Sequence, residues 1–196
     1  MGTLKQTLND VLGKRNILLR RTLPRPATLF ARSYFKNQPL KVVEIGTFEG
    51  ANASSMLKNL NIHTLNCVDP YMVYEQYRSD GSFERVKALR KRSHSIINSL
   101  SSRTNARVVW IEEFSDKAAP NFLKESMDFI YIDGNYTYSY VKKDIELYFS
   151  KVKNGGIIAG HDIEFEEVGR AVMEFAVKKN LKVYIKSPDW IIVKPK

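Results

Sequence analysis

One cysteine, Cys67, is all the thiol chemistry that this 196-residue chain carries. A lone cysteine excludes an intramolecular disulfide and suits a reducing compartment, so a cytoplasmic protein is expected. Cys67 itself is expected to pack as a small hydrophobe on a strand. No apolar run approaches the roughly 20 residues of a membrane span, and no secretory h-region with a cleavage site is present. Acids are scarce in two stretches. Residues 1–32 set Lys5, Lys14, Arg15, Arg20, Arg21, Arg25 and Arg32 against Asp10 alone. Residues 83–107 set Arg85, Lys87, Arg90, Lys91, Arg92, Arg103 and Arg107 against Glu84 alone. Each stretch balances at +6 in a chain of net charge +10, so the remainder is slightly acidic and the positive field is local. These stretches read either as solvated helix faces or as a steering surface for an acidic partner: a phosphorylated substrate, an anionic lipid surface or RNA.

A dinucleotide fingerprint is also missing. Val42-Val43-Glu44-Ile45-Gly46-Thr47-Phe48-Glu49-Gly50 reads as a buried strand, a glycine turn and the start of a helix, and Val68-Asp69 ends a second strand some twenty residues later. That arrangement binds nucleotide-like cofactors: the glycines let the backbone approach the ligand, and the acid meets ribose hydroxyls. The G-x-G-x-x-G spacing that seats a pyrophosphate on a helix N-terminus is absent. An acid two residues before Gly46 suits instead a cationic ligand without phosphates.

Apolar residues make up 43% of the chain, enough for one core. From Lys41 onward, strands alternate with helices. Strands are predicted at 41–46, 63–68, 106–111, 127–132 and 156–160, with helices at 51–60, 83–100, 116–124, 138–151 and 166–179. The runs Val42-Val43, Phe129-Ile130-Tyr131-Ile132 and Ile157-Ile158-Ala159 have the continuous apolar character of strands buried on both faces. Val183-Tyr184-Ile185, the Ser187-Pro188-Asp189 turn and Trp190-Ile191-Ile192-Val193 predict a closing hairpin. Ahead of these units, residues 3–20 carry a helical apolar stripe interrupted by Gly13, and Leu23-Pro24-Arg25-Pro26 forms a connector. The division expected is a helical cap over residues 1–39 and a catalytic domain over 40–196. An Arg-rich, acid-poor start also fits a transit peptide.

A second constellation sits on strands four and five. Ile132-Asp133-Gly134 and Gly160-His161-Asp162 end at the carboxyl edge of the predicted sheet, the edge on which the Glu44–Gly50 turn also opens. Adjacent strand tips lie about 5 Å apart, so Asp133, His161 and Asp162 can meet at one ion. Carboxylates favour Mg²⁺, Ca²⁺ or Mn²⁺, and the histidine tilts the choice towards Mn²⁺ or a later metal. Other readings stay open: His161 as a hydrogen-bonded structural residue, and Asp162 as a helix cap.

Glu-Ile-Gly-x-x-x-Gly followed by Val-Asp resembles the class I S-adenosylmethionine (SAM)-dependent methyltransferases, with Phe48 where the family often has a further glycine. The run Ile-Asp-Gly-x-x-x-Tyr, then Val141-Lys142-Lys143-Asp144-Ile145, then Gly-Gly-Ile-Ile-Ala-Gly-His-Asp resembles their metal-dependent small-molecule O-methyltransferase branch. The resemblance covers about residues 40–165. It implies a Rossmann-like, doubly wound, seven-stranded and mostly parallel α/β sheet, with a C-terminal antiparallel hairpin and an N-terminal helical cap. It implies SAM as cofactor, contacted by Glu44, Gly46, Thr47, Gly50, Asp69, Ser115 and Asp133. It implies a divalent ion, Mg²⁺ or Mn²⁺, held by Asp133, His161 and Asp162, with Asp133 and His161 as the catalytic pair.

Relatives often have a histidine where this chain has Tyr136, whose ordinary pKa near 10 makes it a poor base. Ser115 is placed either at the adenine pocket or as an N-cap. Tyr71, Tyr74 and Tyr77 are placed either in a lid over the cofactor or packed on helix 83–100. His63 and His94 are expected to be uninvolved. The expected acceptor is a small hydroxylated molecule, and the positive field favours an acidic one. The N-terminal helix is a candidate dimerisation element. Two other functions remain open. An RNA-directed methyltransferase is disfavoured by Asp133-Gly134-Asn135-Tyr136 in place of the Asn/Asp-Pro-Pro-Tyr/Phe tetrad. A non-catalytic SAM- or nucleotide-binding protein is the other.

Overall fold

The computed structural model describes residues 23–72 and 83–196. The expected helix over 3–20, with Tyr74 and Tyr77, lies outside the described residues. Helix α1 (Pro26–Phe35) precedes β1 (Leu40–Ile45), α2 (Ala51–Asn59), β2 (Ile62–Val68), α3 (Phe83–Thr104) and β3 (Arg107–Ile111). Then come α4 (Ser115–Ala118), β4 (Met127–Ile132), α5 (Tyr138–Phe149), β5 (Val152–Gly160), α6 (Glu166–Lys179), β6 (Val183–Lys186) and β7 (Asp189–Val193).

The strands form one seven-stranded sheet in the order β3-β2-β1-β4-β5-β7-β6. β1 through β5 pair in parallel, and β7 runs antiparallel to both β5 and β6. The order reverses between β1 and β4. That pair of strand tips is the topological switch point, where open α/β sheets leave a crevice for ligands. The expected sheet, with its closing hairpin, is what the chain builds.

Period-two alternation along each strand divides the core between two faces. Val43, Ile45, Ile130, Ile132 and Ile158 pack with α5 and α6, through Ile145, Tyr148, Val172 and Phe175. Val42, Leu65, Phe129, Tyr131, Ile157 and Ile191 pack with α1, α2 and Ile97 of α3. All of these strand residues are buried, which explains why the sequence runs read as continuously apolar.

Three local outcomes depart from the pattern reading. Pro26–Phe35 is a helix where only a proline connector is legible. Pro26 starts it, where a missing N–H costs nothing, and Ala27, Thr28, Ala31 and Phe35 form its buried stripe. The helix expected over 116–124 is a single turn, α4, followed by a 3₁₀ turn over Ala119–Asn121, because Pro120 cannot donate to a continuing helix. β5 begins at Val152, earlier than expected, and Gly155 at φ +76 lies inside it. No helix among the described residues is long and apolar enough to cross a membrane.

Candidate active site

The turn after β1 is built from three left-handed residues, Gly46 (φ +84), Phe48 (φ +47) and Gly50 (φ +80). Gly46 lies against the tip of β4: a Cβ there would stand 2.0 Å from the Asp133 carbonyl oxygen and 2.8 Å from Gly134 Cα. Only glycine lets the two strand tips close to this distance. Phe48 holds its left-handed conformation under a tether, since its N–H donates to Asp69 Oδ2 at 2.8 Å. The other oxygen, Asp69 Oδ1, accepts the Tyr71 N–H at 2.8 Å. Burial raises the Asp69 pKa above its ordinary value, and these two N–H donors oppose the shift.

The turn and the tips of β2, β4 and β5 surround a cavity of about 600 Å³, within the roughly 300–1,000 Å³ range of small-molecule sites. Gly46, Asp69, Ser115, Asp133, His161 and Asp162 line it, as does Tyr71. Glu44, Thr47 and Gly50 do not. The Glu44 carboxyl is buried beneath the first turn of α2, where Oε1 accepts from Asn52 Nδ2 at 2.9 Å and Oε2 has no hydrogen-bond partner. Burial, ahead of the nearby Asp133 and Asp69, pushes its pKa up to about 8, so it is a neutral acid at pH 7. Its place is behind the glycine turn, supporting it.

Asp133, His161 and Asp162 converge. Each offers one ligand atom, and these atoms all lie within 4.8 Å of one another. In an extended strand, consecutive side chains point apart. Asp162 takes φ +61 at the end of β5, and His161 Nδ1 then sits 2.6 Å from Asp162 Oδ1 and 3.6 Å from Asp133 Oδ1. Asp162 does not cap α6, whose N-cap residue is Phe165. Burial raises the Asp133 pKa to about 6, opposed by Arg25 and then His161. Two carboxylates and an imidazole at this separation match the donor set of a small divalent ion.

Ser115 is the first residue of α4, not its cap. Its hydroxyl donates to Asp144 Oδ1 at 2.5 Å, and its carbonyl accepts the Tyr148 hydroxyl at 2.8 Å. Tyr71 lines the cavity and also packs on α3, with its hydroxyl 2.6 Å from Ser93 Oγ. Tyr136, at the place of the usual histidine, stacks on Phe165 with centroids 5.5 Å apart. His94 stacks on Trp110 at 3.7 Å, outside the cavity, and His63 Nδ1 lies 2.8 Å from Thr64 Oγ1. Lys87, Arg90, Lys91 and Arg92 occupy the exposed face of α3, where Arg90 pairs with Glu112 and Arg92 with Glu49.

Two lining residues escaped the motif reading. Arg25 counted only toward the basic start, and Asp144 only toward the run on α5. Asp144 is buried, its pKa raised to about 6 by that burial. Six carboxylates (Asp69, Glu113, Asp116, Asp133, Asp144 and Asp162) line the cavity against Arg25, Arg85 and Lys143. A chain of net charge +10 thus turns an acidic pocket toward its ligand. That sign fits a cationic ligand.

Known proteins share parts of this sequence and of this fold. An uncharacterized protein of Acanthamoeba polyphaga mimivirus is 28% identical over 132 residues, 66% of this chain and 54% of that protein. The chain thus spans about half the length of that curated relative. Among solved structures, a putative caffeoyl-CoA O-methyltransferase from Staphylococcus aureus superposes with a TM-score of 0.62 at 15% identity, over 98% of this chain and 96% of that one. The O-methyltransferase TomG from Streptomyces achromogenes, solved with SAM, superposes at 0.57 and 10% identity, over 85% and 77%. These likenesses concern the fold. The methyltransferase domain family matches residues 43–163, which hold the glycine turn, Asp69, Asp133, His161 and Asp162, and the chain belongs to that family.

Proposed function

We propose that the chain transfers the methyl group of SAM to an oxygen of a small hydroxylated acceptor, at a site where Asp133, His161 and Asp162 hold Mg²⁺ or Mn²⁺. The observation that carries this reading is the convergence of those three side chains on the wall of the cavity onto which Gly46 and Asp69 also open. When bound, SAM supplies an electrophilic methyl group and the divalent ion supplies Lewis acidity at the acceptor oxygen.

The chain's own residues do the aligning. Gly46 gives the amino-acid portion of the cofactor close backbone approach, and Glu44 stiffens the turn from behind as a neutral acid. Asp69 keeps lone pairs for ribose hydroxyls beyond those committed to Phe48 and Tyr71. Ser115, oriented by Asp144, lies on the wall beyond the β3 tip, at the adenine end. His161 is the proton acceptor for the departing hydroxyl proton when its ring is not a ligand, and Asp162 orients that ring. With SAM and acceptor bound, these residues would act chiefly by holding the reacting groups in a productive orientation. An acidic acceptor would find its counter-charges in Arg25 and in Arg85 at the start of α3, rather than in Lys87, Arg90, Lys91 and Arg92 further along that helix.

Calorimetric titration with SAM and with its demethylated product, each with and without Mg²⁺ or Mn²⁺ and with NADH as control, tests the reading. Micromolar binding of both sulfur ligands and separate binding of the metal are expected. Absence of SAM binding would overturn the assignment. A loss of turnover smaller than about tenfold in Asp133→Asn or Asp162→Asn would remove the metal step.

A further inference from the structure

The donor cluster already has a cation beside it. Pro26 starts α1, and the N–H of Ala27 donates to Asp189 Oδ2 at 2.8 Å. Asp189 is fully buried, and its Oδ1 accepts the Tyr131 hydroxyl at 2.9 Å. A carboxylate anchored in the last strand thus fixes the backbone that carries Arg25. From there the arginine side chain enters the cavity and brings Nη2 to 3.4 Å from Asp133 Oδ2. The other oxygen of Asp133 faces His161 at 3.6 Å. Asp133 therefore lies between the guanidinium and the other two members of the cluster.

A guanidinium and a divalent ion compete for the lone pairs of one carboxylate. An ion ligated by Asp133 stands within a few ångströms of Nη2, and in a half-buried site like charges at that range repel strongly. Arginine cannot relieve this by losing its proton. The contact it makes is single and long for a hydrogen bond, and about a third of its side chain is exposed, so a swing toward solvent costs little.

We propose that Arg25 and the divalent ion are alternative partners of Asp133. The guanidinium holds the carboxylate in place while the ion is absent and moves aside when the ion binds. Arg25 is in this sense a positioning residue that sets the metal affinity of the site, and the inference rests on the metal-binding reading above.

Titration of the full chain with Mn²⁺ alone tests this, followed by calorimetry and by the loss of the free-Mn²⁺ electron paramagnetic resonance signal. Arg25→Gln is expected to tighten Mn²⁺ binding about tenfold, because the competing charge is gone. Arg25→Lys keeps the charge and is expected to stay within about threefold of the unaltered chain. Asp133→Asn and Asp162→Asn are expected to weaken binding severely, and thermal melts without metal show that each variant is folded. Unchanged or weaker binding by Arg25→Gln, with Asp133→Asn still losing the ion, would overturn the inference and leave the metal site standing. Equal binding by both ligand variants and the unaltered chain would remove the metal site and the inference together. Failure of both the unaltered chain and Arg25→Gln to bind Mn²⁺ would do the same.

Discussion

Asp69 Oδ2 accepts the N–H of Phe48 at 2.8 Å, which joins the tip of β2 to the turn that follows β1. The same carboxylate holds the Tyr71 N–H, so one side chain orders two backbone segments on the cavity wall. Asp69→Ala leaves both donors without their partner. It is expected to cost about 1–3 kcal/mol of stability and to lose SAM affinity beyond the ribose contact alone. Urea unfolding and calorimetry on the same variant check the two parts separately.

Gly46 and Phe48 both have positive φ but should respond differently to substitution. Gly46→Ala drives a methyl group into the Asp133 carbonyl and Gly134. A loss of at least about 2 kcal/mol and of measurable SAM binding is expected. Phe48→Gly restores the residue that a left-handed position favours, and the Phe48 ring is more than half exposed. Its stability should stay within about 1 kcal/mol of the unaltered chain, with SAM affinity retained. Equal damage from both substitutions would contradict this account of the turn.

Glu44 gives the fold a predictable pH dependence. Its pKa is raised from 4.5 to about 8, so the folded chain keeps a proton that the unfolded chain has released. The stability tied to this group is fully present below pH 4.5 and is lost as the pH rises toward 8, each pKa unit amounting to at most about 1.4 kcal/mol. Glutamine cannot ionise and can still accept from Asn52. Glu44→Gln should therefore flatten the profile over this window and be the more stable form at pH 8. Denaturation midpoints measured across the window test it, and an undiminished slope in the variant would assign the effect elsewhere.

Asp189 ties the last strand to the first described helix. Asp189→Ala strands the Ala27 N–H and the Tyr131 hydroxyl in the core. A cost of about 2–4 kcal/mol is expected, together with faster amide exchange over the first turn of α1. Exchange confined to β7 would show that α1 is held by its apolar stripe instead.

Most of the strands and helices were legible because their signals are local. Phe129-Ile130-Tyr131-Ile132 is apolar throughout since β4 is covered on both faces, and that pattern needs no knowledge of neighbours. Strand phase also placed Asp69, Asp133, His161 and Asp162 at one edge, since parallel strands present their carboxyl ends together. α4 is shorter than the helix expected over 116–124, although the cause, Pro120, is written in the chain. α1 is not legible because two prolines near its start read as a connector, while its buried stripe needs only Ala27, Thr28, Ala31 and Phe35.

What the chain determined on its own is therefore periodicity, the glycine turn and the residues that end each strand, all set by neighbours a few positions away. Tertiary structure alone decided which of those residues meet. Glu44 belongs to the turn motif, yet strand phase carries its carboxyl under α2 and away from the cavity. Arg25 and Asp133 are 108 residues apart, and Ala27 and Asp189 are 162 apart. No local pattern encodes such contacts: they arise only when the sheet order sets β7 beside β5 and α1 packs across both.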